Sequence, residues 1–144
     1  MSGGQFQQNN AAQSGGGAFV TGGDVVVYSG TFQANEALAG NGGAIAINNG
    51  NYTMYGGVLD GNTAALNGGA IYVSANNQNV SVGLLSGSIM NNVAYTSGGA
   101  VAVVAPEGGS EVITVTLGVN DVHYDADGNR VTCYHTDNMN CRVG

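Results

Sequence analysis

Residues 57–71 read GVLDGNTAALNGGAI, and both halves of this stretch recur along the chain. The first half has the pattern Gly, any, large apolar, any, any, Asn, any, Ala. It occurs four times, in segments that begin at Gly4, Gly30, Gly57 and Gly87. The second half, Gly-Gly-Ala followed by a large apolar residue, also occurs four times, beginning at Gly16, Gly42, Gly68 and Gly98. The copies of the first pattern are spaced by 26, 27 and 30 residues and those of the second by 26, 26 and 30, which indicates a repeat protein.

A third apolar run completes each repeat, and alternation within the runs predicts the fold. The four runs are 25–28, 52–55, 82–85 and 112–117. Three short strands per repeat, with Gly, Asn and Ser at the turns, are typical of a coil with three flat faces. We therefore predict an all-β, single-stranded parallel β-helix of about four rungs of 26–30 residues. Since parallel crossover connections are almost always right-handed, we expect a right-handed coil.

Stacking of the rungs predicts three inward columns of apolar side chains. The alternative repeat folds, a β-propeller and a leucine-rich repeat, fit the period and composition less well. The predicted columns are Phe19, Ile45, Ile71 and Val101; Val27, Met54 and Leu84; and Phe6, Phe32, Leu59 and Ile89.

Composition agrees with a β-solenoid and limits the partners. Glycine makes up 26 of 144 residues and costs about 1 kcal/mol per helix position relative to alanine, whereas the 43% of hydrophobic residues can form a core. Only Arg130 and Arg142 are basic, and the net charge of −7 disfavours nucleic acid and anionic membranes. No apolar stretch approaches the length of a membrane span, and residues 1–4 do not resemble a signal peptide. The chain is expected to be cut from a longer protein, beginning within a rung.

The repeat closely resembles that of the chlamydial polymorphic membrane proteins. The resemblance rests on the large apolar residue three positions before Asn and on Gly-Gly-Ala followed by an aliphatic residue, and it covers roughly residues 3–105. Leu59 and Ile89 stand where the family pattern has Phe. In that family the repeats build the β-helical passenger of an autotransporter, which is exposed outside the cell and implicated in adhesion. The resemblance thus implies an extracellular or cell-surface location and an adhesive or spacing role.

Two sets of residues are candidates for polar or aromatic contacts. Asn tolerates left-handed turns, so the four asparagines of the repeat are predicted to form a structural ladder at one corner rather than a binding strip. Tyr28, Tyr55 and Tyr72 point outward in the predicted register and form a possible binding face, although stacked aromatic pairs more often stabilise neighbouring strands. The ladder residues are Asn9, Asn35, Asn62 and Asn92.

Enzymatic activity is not expected, and no catalytic residue, metal ligand or cofactor is predicted. Asp24, Glu36 and Asp60 fall in different columns, whereas glycoside-cleaving sites need paired carboxylates. His123 and His135 lie in the tail without an aligned nucleophile. A carbohydrate-active enzyme therefore ranks third among the functions.

The tail changes character after Gly118, which suggests a division into repeats, 1–118, and a C-terminal unit, 119–144. Residues 124–131 read as a hairpin that turns at Asp127-Gly128, and a polar cap would protect the end of the solenoid. A calcium loop is disfavoured because Arg130 replaces the required Gly. Cys133 and Cys141 could form a disulfide, remain free thiols or, least favoured, bind a metal with the histidines.

Two functional classes agree best with the sequence. The first is a non-enzymatic adhesive or spacing segment of an extracellular surface protein, which contacts a host protein, a glycan or a neighbouring chain. The second is a self-assembling fibre or array unit that associates through an uncapped N-terminal rung.

Overall fold

The computed structural model describes residues 1–105 and 110–117, and in this part of the chain all regular structure is β. No helix there has the length and hydropathy needed to cross a membrane. The strands, in chain order, are β1 Ser2–Gln7, β2 Asn10–Ala11, β3 Ala18–Val27, β4 Ser29–Gln33, β5 Glu36–Ala37, β6 Ile45–Met54, β7 Val58–Asp60, β8 Thr63–Ala64, β9 Ile71–Ser74, β10 Val80–Leu84, β11 Ser88–Met90, β12 Val93–Ala94, β13 Val101–Val104 and β14 Ile113–Leu117.

The strands form three parallel sheets, and successive coils of the chain supply successive strands of each sheet. Sheet A has the order β1-β4-β7-β11 and sheet B the order β2-β5-β8-β12. Sheet C has the order β13-β9-β6-β10-β14, with β3 also paired to β6. Rung 1 comprises β1–β3, rung 2 β4–β6, rung 3 β7–β10 and rung 4 β11–β14. This arrangement confirms the predicted parallel β-solenoid of about four rungs.

The coil differs in detail from the predicted three short strands per rung. In rungs 1 and 2 the strand after Gly-Gly-Ala and the third apolar run merge into one ten-residue strand, β3 or β6. The side-chain alternation of β6 shifts by one residue at Asn49, whose φ is +56°. Ile45 and Ile47 point inward before this bend, and Tyr52 and Met54 after it. A short strand of sheet B also follows each ladder asparagine.

Two of the predicted core columns have the predicted register. Val27 is opposite Met54, and Met54 opposite Leu84. Phe6, Phe32, Leu59 and Ile89 pair in succession through sheet A. The rings of the first two of these stack with their centroids 4.7 Å apart.

The remaining column contains one wrong prediction, Phe19. Ala18, not Phe19, is opposite Ile45, and the Phe19 side chain is 52% exposed. The reason lies in the three consecutive glycines 15–17. Gly15, with φ of +71°, takes the left-handed position that Gly42 occupies in the next rung with φ of +68°. In rung 1 the positions of Gly42, Gly43 and Ala44 are therefore taken by residues 15–17, one residue before the Gly-Gly-Ala of the sequence pattern.

The glycine after this left-handed position is required by the closeness of the rungs. A Cβ atom on Gly43 would lie 2.2 Å from the carbonyl oxygen of Gly69 in the next rung. Such an approach is far inside van der Waals contact, so any side chain here would force the rungs apart. The second glycine of the Gly-Gly pairs in rungs 2 and 3, Gly43 and Gly69, thus serves the stacking of the coil.

Candidate binding surface

The four asparagines of the repeat lie in one column beside sheets A and B and are joined from rung to rung. In each of the first three, the backbone N–H and the Nδ2 group donate to the Oδ1 atom of the asparagine in the next rung, at 2.8–3.1 Å. Asn35 and Asn62, in the middle of the column, are 1% and 0% exposed. The column runs through Asn9, Asn35, Asn62 and Asn92.

The second Nδ2 hydrogen of these asparagines is also used. Asn35 donates to the carbonyl oxygen of Phe6 at 2.8 Å, and Asn62 donates to that of Phe32 at 3.0 Å. An amide in the middle of the column therefore has both hydrogens and its oxygen engaged inside the protein. This geometry favours a structural role and leaves little for a ligand to bind.

A second polar column lies at the next corner, and the sequence reasoning missed it. Asn67 donates from its backbone N–H and Nδ2 to Oδ1 of Asn41, at 3.0 and 2.9 Å. The Asn41 backbone N–H donates in turn to the hydroxyl of Ser14 at 3.0 Å. These bonds run toward the N-terminal rung, opposite to those of the first column. This column could have been found from the residue that precedes the left-handed glycine of each rung. That residue is Ser in rungs 1 and 4 and Asn in rungs 2 and 3, so it does not recur as one residue type.

Tyr28 and Tyr55 form a parallel pair on the outside of the solenoid. Their ring centroids are 5.3 Å apart with an angle of 9° between the ring planes, and the side chains are 59% and 50% exposed. The backbone N–H of Tyr55 donates to the carbonyl oxygen of Val27, and that of Leu85 donates in the same way to the carbonyl oxygen of Met54. Leu85 therefore occupies, in rung 3, the position that Tyr55 has in rung 2. Because each ring shields one face of the other, the pair offers its ring edges, two hydroxyl groups and the two outer ring faces to a partner.

Tyr72 lies elsewhere, so the three candidate tyrosines do not form one surface. Tyr72 is opposite Ala46 and Ala102, on the first half of sheet C, whereas Tyr55 follows the end of β6. Burial raises the pKa of the half-buried Tyr72 phenol, and its hydrogen bond with Ser74 acts in the opposite direction. Tyr72 and the Tyr28–Tyr55 pair must be considered as separate sites.

A row of polar side chains accompanies the tyrosine pair on the second half of sheet C. Asn51 Nδ2 donates to Oδ1 of Asp24 at 2.7 Å, and Oδ1 of Asn51 accepts from the backbone N–H of Ser81 at 2.8 Å. Tyr28 is four positions after Asp24 along the chain, about 13 Å in an extended strand. The exposed side of this half of the sheet therefore combines aromatic and hydrogen-bonding groups.

The carboxylates that were considered for catalysis lie in three different sheets. Asp24 is in β3 of sheet C, Glu36 in β5 of sheet B and Asp60 in β7 of sheet A. Asp60 accepts from Nδ2 of Asn91 at 2.8 Å. Within residues 1–105 and 110–117, no three His, Cys, Asp or Glu side chains come close enough together to hold a metal ion.

Several sequence-based predictions fall outside the described residues. They concern His123 and His135, the disulfide between Cys133 and Cys141, the loop at 125–130, and the boundary and cap after residue 118.

Among known proteins, the chain has a match only at the level of its repeat. No curated protein and no solved structure has significant similarity to the chain. One family model does match, over residues 56–74, a stretch that contains Leu59, Asn62 and the Gly-Gly-Ala element of rung 3. The matching family is the Chlamydia polymorphic membrane protein repeat, so the resemblance seen in the sequence is confirmed for this segment of the solenoid.

Proposed function

We propose that this chain is a segment of a bacterial surface protein and that it works without catalysis, as an adhesive element outside the cell. The repeat match at residues 56–74 comes from a family of surface proteins rather than of enzymes. The parallel β-solenoid fits such a segment, because an elongated stack of rungs presents long lateral faces to a partner.

The residues that define the repeat are engaged in holding the rungs together. Leu59 is fully buried in the core, Asn62 is hydrogen-bonded on both sides, and Gly43 packs against the next rung. A partner therefore has to recognise the outward residues, which differ from rung to rung. The observation that carries the adhesive role is the exposed, parallel pair of Tyr28 and Tyr55.

The chemistry of this face favours a protein partner over a glycan. A sugar ring stacks on an open aromatic face, and in this pair the two inner ring faces are covered by each other. Tyrosine edges and hydroxyls beside Leu85 form a mixed apolar and polar patch, which is typical of protein interfaces. Both arginines of the chain follow residue 117, and Asp24 lies on the same face, so the preferred partner surface is neutral or basic.

Binding of the full chain to cultured host cells tests this role. We expect Tyr28→Ser/Tyr55→Ser to weaken binding about tenfold or more, since aromatic anchors at an interface each contribute more than about 1 kcal/mol. Tyr95→Ser is the matched control, because Tyr95 is 75% exposed and lies on another side of the coil. Protease treatment of the cells should abolish binding.

Other outcomes would lead to other roles. Loss of binding after removal of cell-surface sugars, but not after proteolysis, would identify a glycan partner. Absence of binding by the unaltered chain would refute the adhesive role and leave that of a spacer. Association of the chain with itself, unaffected by the tyrosine changes, would favour the fibre or array.

A further inference from the structure

Gly83 lies in the middle of β10, at an outward position where the other rungs have β-branched residues. Its neighbours Val82 and Leu84 point into the core, so Gly83 faces outward. The row across sheet C, from rung 1 to rung 4, is Val26, Thr53, Gly83 and Thr116. Valine and threonine favour strands, whereas glycine is depleted in them. The row is thus interrupted in rung 3 by a residue that is unfavourable for a strand.

The fold does not require glycine at this position. The φ of Gly83 lies outside the left-handed region. A Cβ atom on Gly83 would lie 3.5 Å from Cγ2 of Thr53 and 3.8 Å from Cγ of Leu85, which are ordinary van der Waals distances. A Cβ atom on Gly43, in contrast, would lie 2.2 Å from the carbonyl oxygen of Gly69. A glycine that packing does not explain in the interior of a strand is typical of a place that a ligand or another chain approaches closely.

The missing side chain leaves a notch in the outer face of sheet C, which we call the Gly83 notch. Thr53 and Thr116 flank it on the neighbouring strands, and Ser81 and Leu85 flank it along β10. Neighbouring strands are about 4.8 Å apart, and residues two positions apart in a strand are about 7 Å apart. The notch therefore has the width of one side chain, and Gly83 at its floor is partly exposed.

The groups around the notch favour an apolar occupant. The backbone of Gly83 pairs with β6 on one side and β14 on the other, so its peptide groups are used within the sheet. The Ser81 hydroxyl donates to Oδ1 of Asn51 at 3.2 Å. Carbon atoms of Thr53 and Leu85 are among those closest to the missing Cβ atom. An aliphatic side chain can contact these carbons without leaving a buried polar group unpaired.

The Gly83 notch adjoins the tyrosine pair. Tyr55 is two positions after Thr53, so its Cα atom lies diagonally about 8 Å from that of Gly83. Leu85, which has in rung 3 the position that Tyr55 has in rung 2, forms one wall of the notch. A protein that binds over Tyr28 and Tyr55 therefore extends over Gly83.

We propose that Gly83 is a specificity-determining position of the adhesive surface, where an aliphatic side chain of the partner protein fits between Thr53 and Thr116. The inference rests on the proposed adhesive role and defines the chemistry of the partner, a protein with a protruding aliphatic residue. That side chain would lie about 4.8 Å from the two threonine side chains, as side chains of neighbouring strands do. The tyrosines serve as aromatic anchors, and the notch selects the shape of the partner.

Filling the notch in the full chain tests this inference. Gly83→Thr gives the row its usual type of residue, so we expect the melting temperature to stay the same or to rise by about 1–4 °C. Binding to cultured host cells should weaken about tenfold or more. Gly83→Ala fills less of the notch and should weaken binding about threefold. Ala65→Thr is the matched control: it adds a threonine directly after β8 in the same rung, beside sheet B, and should leave binding unchanged.

The outcomes separate this inference from the adhesive role itself. Equal binding by Gly83→Thr and the unaltered chain, with loss of binding by Tyr28→Ser/Tyr55→Ser, would overturn the inference and leave the adhesive role intact. Absence of binding by the unaltered chain would overturn both. Lower melting temperatures of Gly83→Ala and Gly83→Thr would also overturn the inference, by showing that the fold requires glycine. Binding that survives protease treatment of the cells would do so too, because the occupant would then not be a protein.

Discussion

Replacement of Tyr52 by phenylalanine should stabilise the protein. Tyr52 lies in the core between Val25 and Val82, is 0% exposed, and its buried hydroxyl has no hydrogen-bond partner among the described residues. An unsatisfied buried polar group costs about 1–3 kcal/mol, whereas removal of a single oxygen atom reduces the dispersion attraction in the core only slightly. We expect Tyr52→Phe to raise the free energy of unfolding by about 1–2 kcal/mol, or the melting temperature by about 3–6 °C.

The hydroxyl also makes stability depend on alkaline pH. Burial raises the pKa of the Tyr52 phenol well above its ordinary value. The folded state then keeps a proton that the unfolded state releases above about pH 10, so stability is fully present below this pH and falls above it by about 1.4 kcal/mol per pH unit for this group. Tyr52→Phe should remove that contribution, leaving a shallower alkaline decline to which the raised pKa of Tyr72 contributes.

Urea unfolding at pH 7 and at pH 10–11 measures both effects. Tyr95→Phe is the control, because Tyr95 is 75% exposed and its hydroxyl is free to bond with water; a change within about 0.5 kcal/mol is expected there. A destabilised Tyr52→Phe variant would refute the reasoning, since it would show that the hydroxyl is bonded to a group such as a buried water. An unchanged alkaline slope would refute the account of the pH dependence.

Three other substitutions test the core, the rung contacts and the ladder by melting or urea unfolding. Ile71→Asp should cost more than about 4 kcal/mol, because the charge has no partner in the core, and Tyr72→Asp about 1 kcal/mol; equal losses would mean that the faces are reversed. Gly43→Ala should cost about 3 kcal/mol or more, whereas Gly99→Ala, whose Cβ would meet no atom of the described residues closer than 3.7 Å, should be mild. If both were tolerated, the rungs would not be as close as described. Asn62→Ala should cost about 3–4 kcal/mol through its lost hydrogen bonds, and a loss below about 1 kcal/mol would argue against the ladder.

The sequence was sufficient to predict the solenoid and most of its register. The distance from Phe32 to Asn35 recurs in each rung, and inward side chains that must stack on one another fix that distance. Phe19 was misplaced because glycines 15–17 allow two alignments that differ by one residue. The choice between them depends on Gly15 in the left-handed position and on the bond from Asn41 to Ser14, which are three-dimensional contacts.

The candidate binding surface was less predictable than the core. The outward positions of Tyr28 and Tyr55 follow from the alternation next to Val27 and Met54, and the structure places the two rings together. Alternation assigns Tyr72 to the outside as well, but it does not locate the bend within sheet C. That bend lies at Asn49, in the middle of a strand that the sequence pattern divides into two. The position of Tyr72 relative to the other tyrosines therefore required the structure.

The same bend is where the solenoid can vary without losing its core. In rung 3 the residues 75–79 separate β9 from β10, whereas in rung 2 the two halves are continuous in β6. Rung 3 is four residues longer than rung 2 here. This longer segment is hydrogen-bonded to rung 2: the backbone N–H of Asn76 donates to Oδ1 of Asn49 at 2.6 Å, and Gln78 Nε2 donates to the Asn49 carbonyl oxygen. The corner that contains the ladder keeps its spacing in all four rungs, since a change there would break bonds such as that from Asn35 to Asn62. Differences in length, and with them differences in the surface offered to a partner, thus lie outside the ladder corner: four residues at this bend in rung 3 and one between β5 and β6 in rung 2.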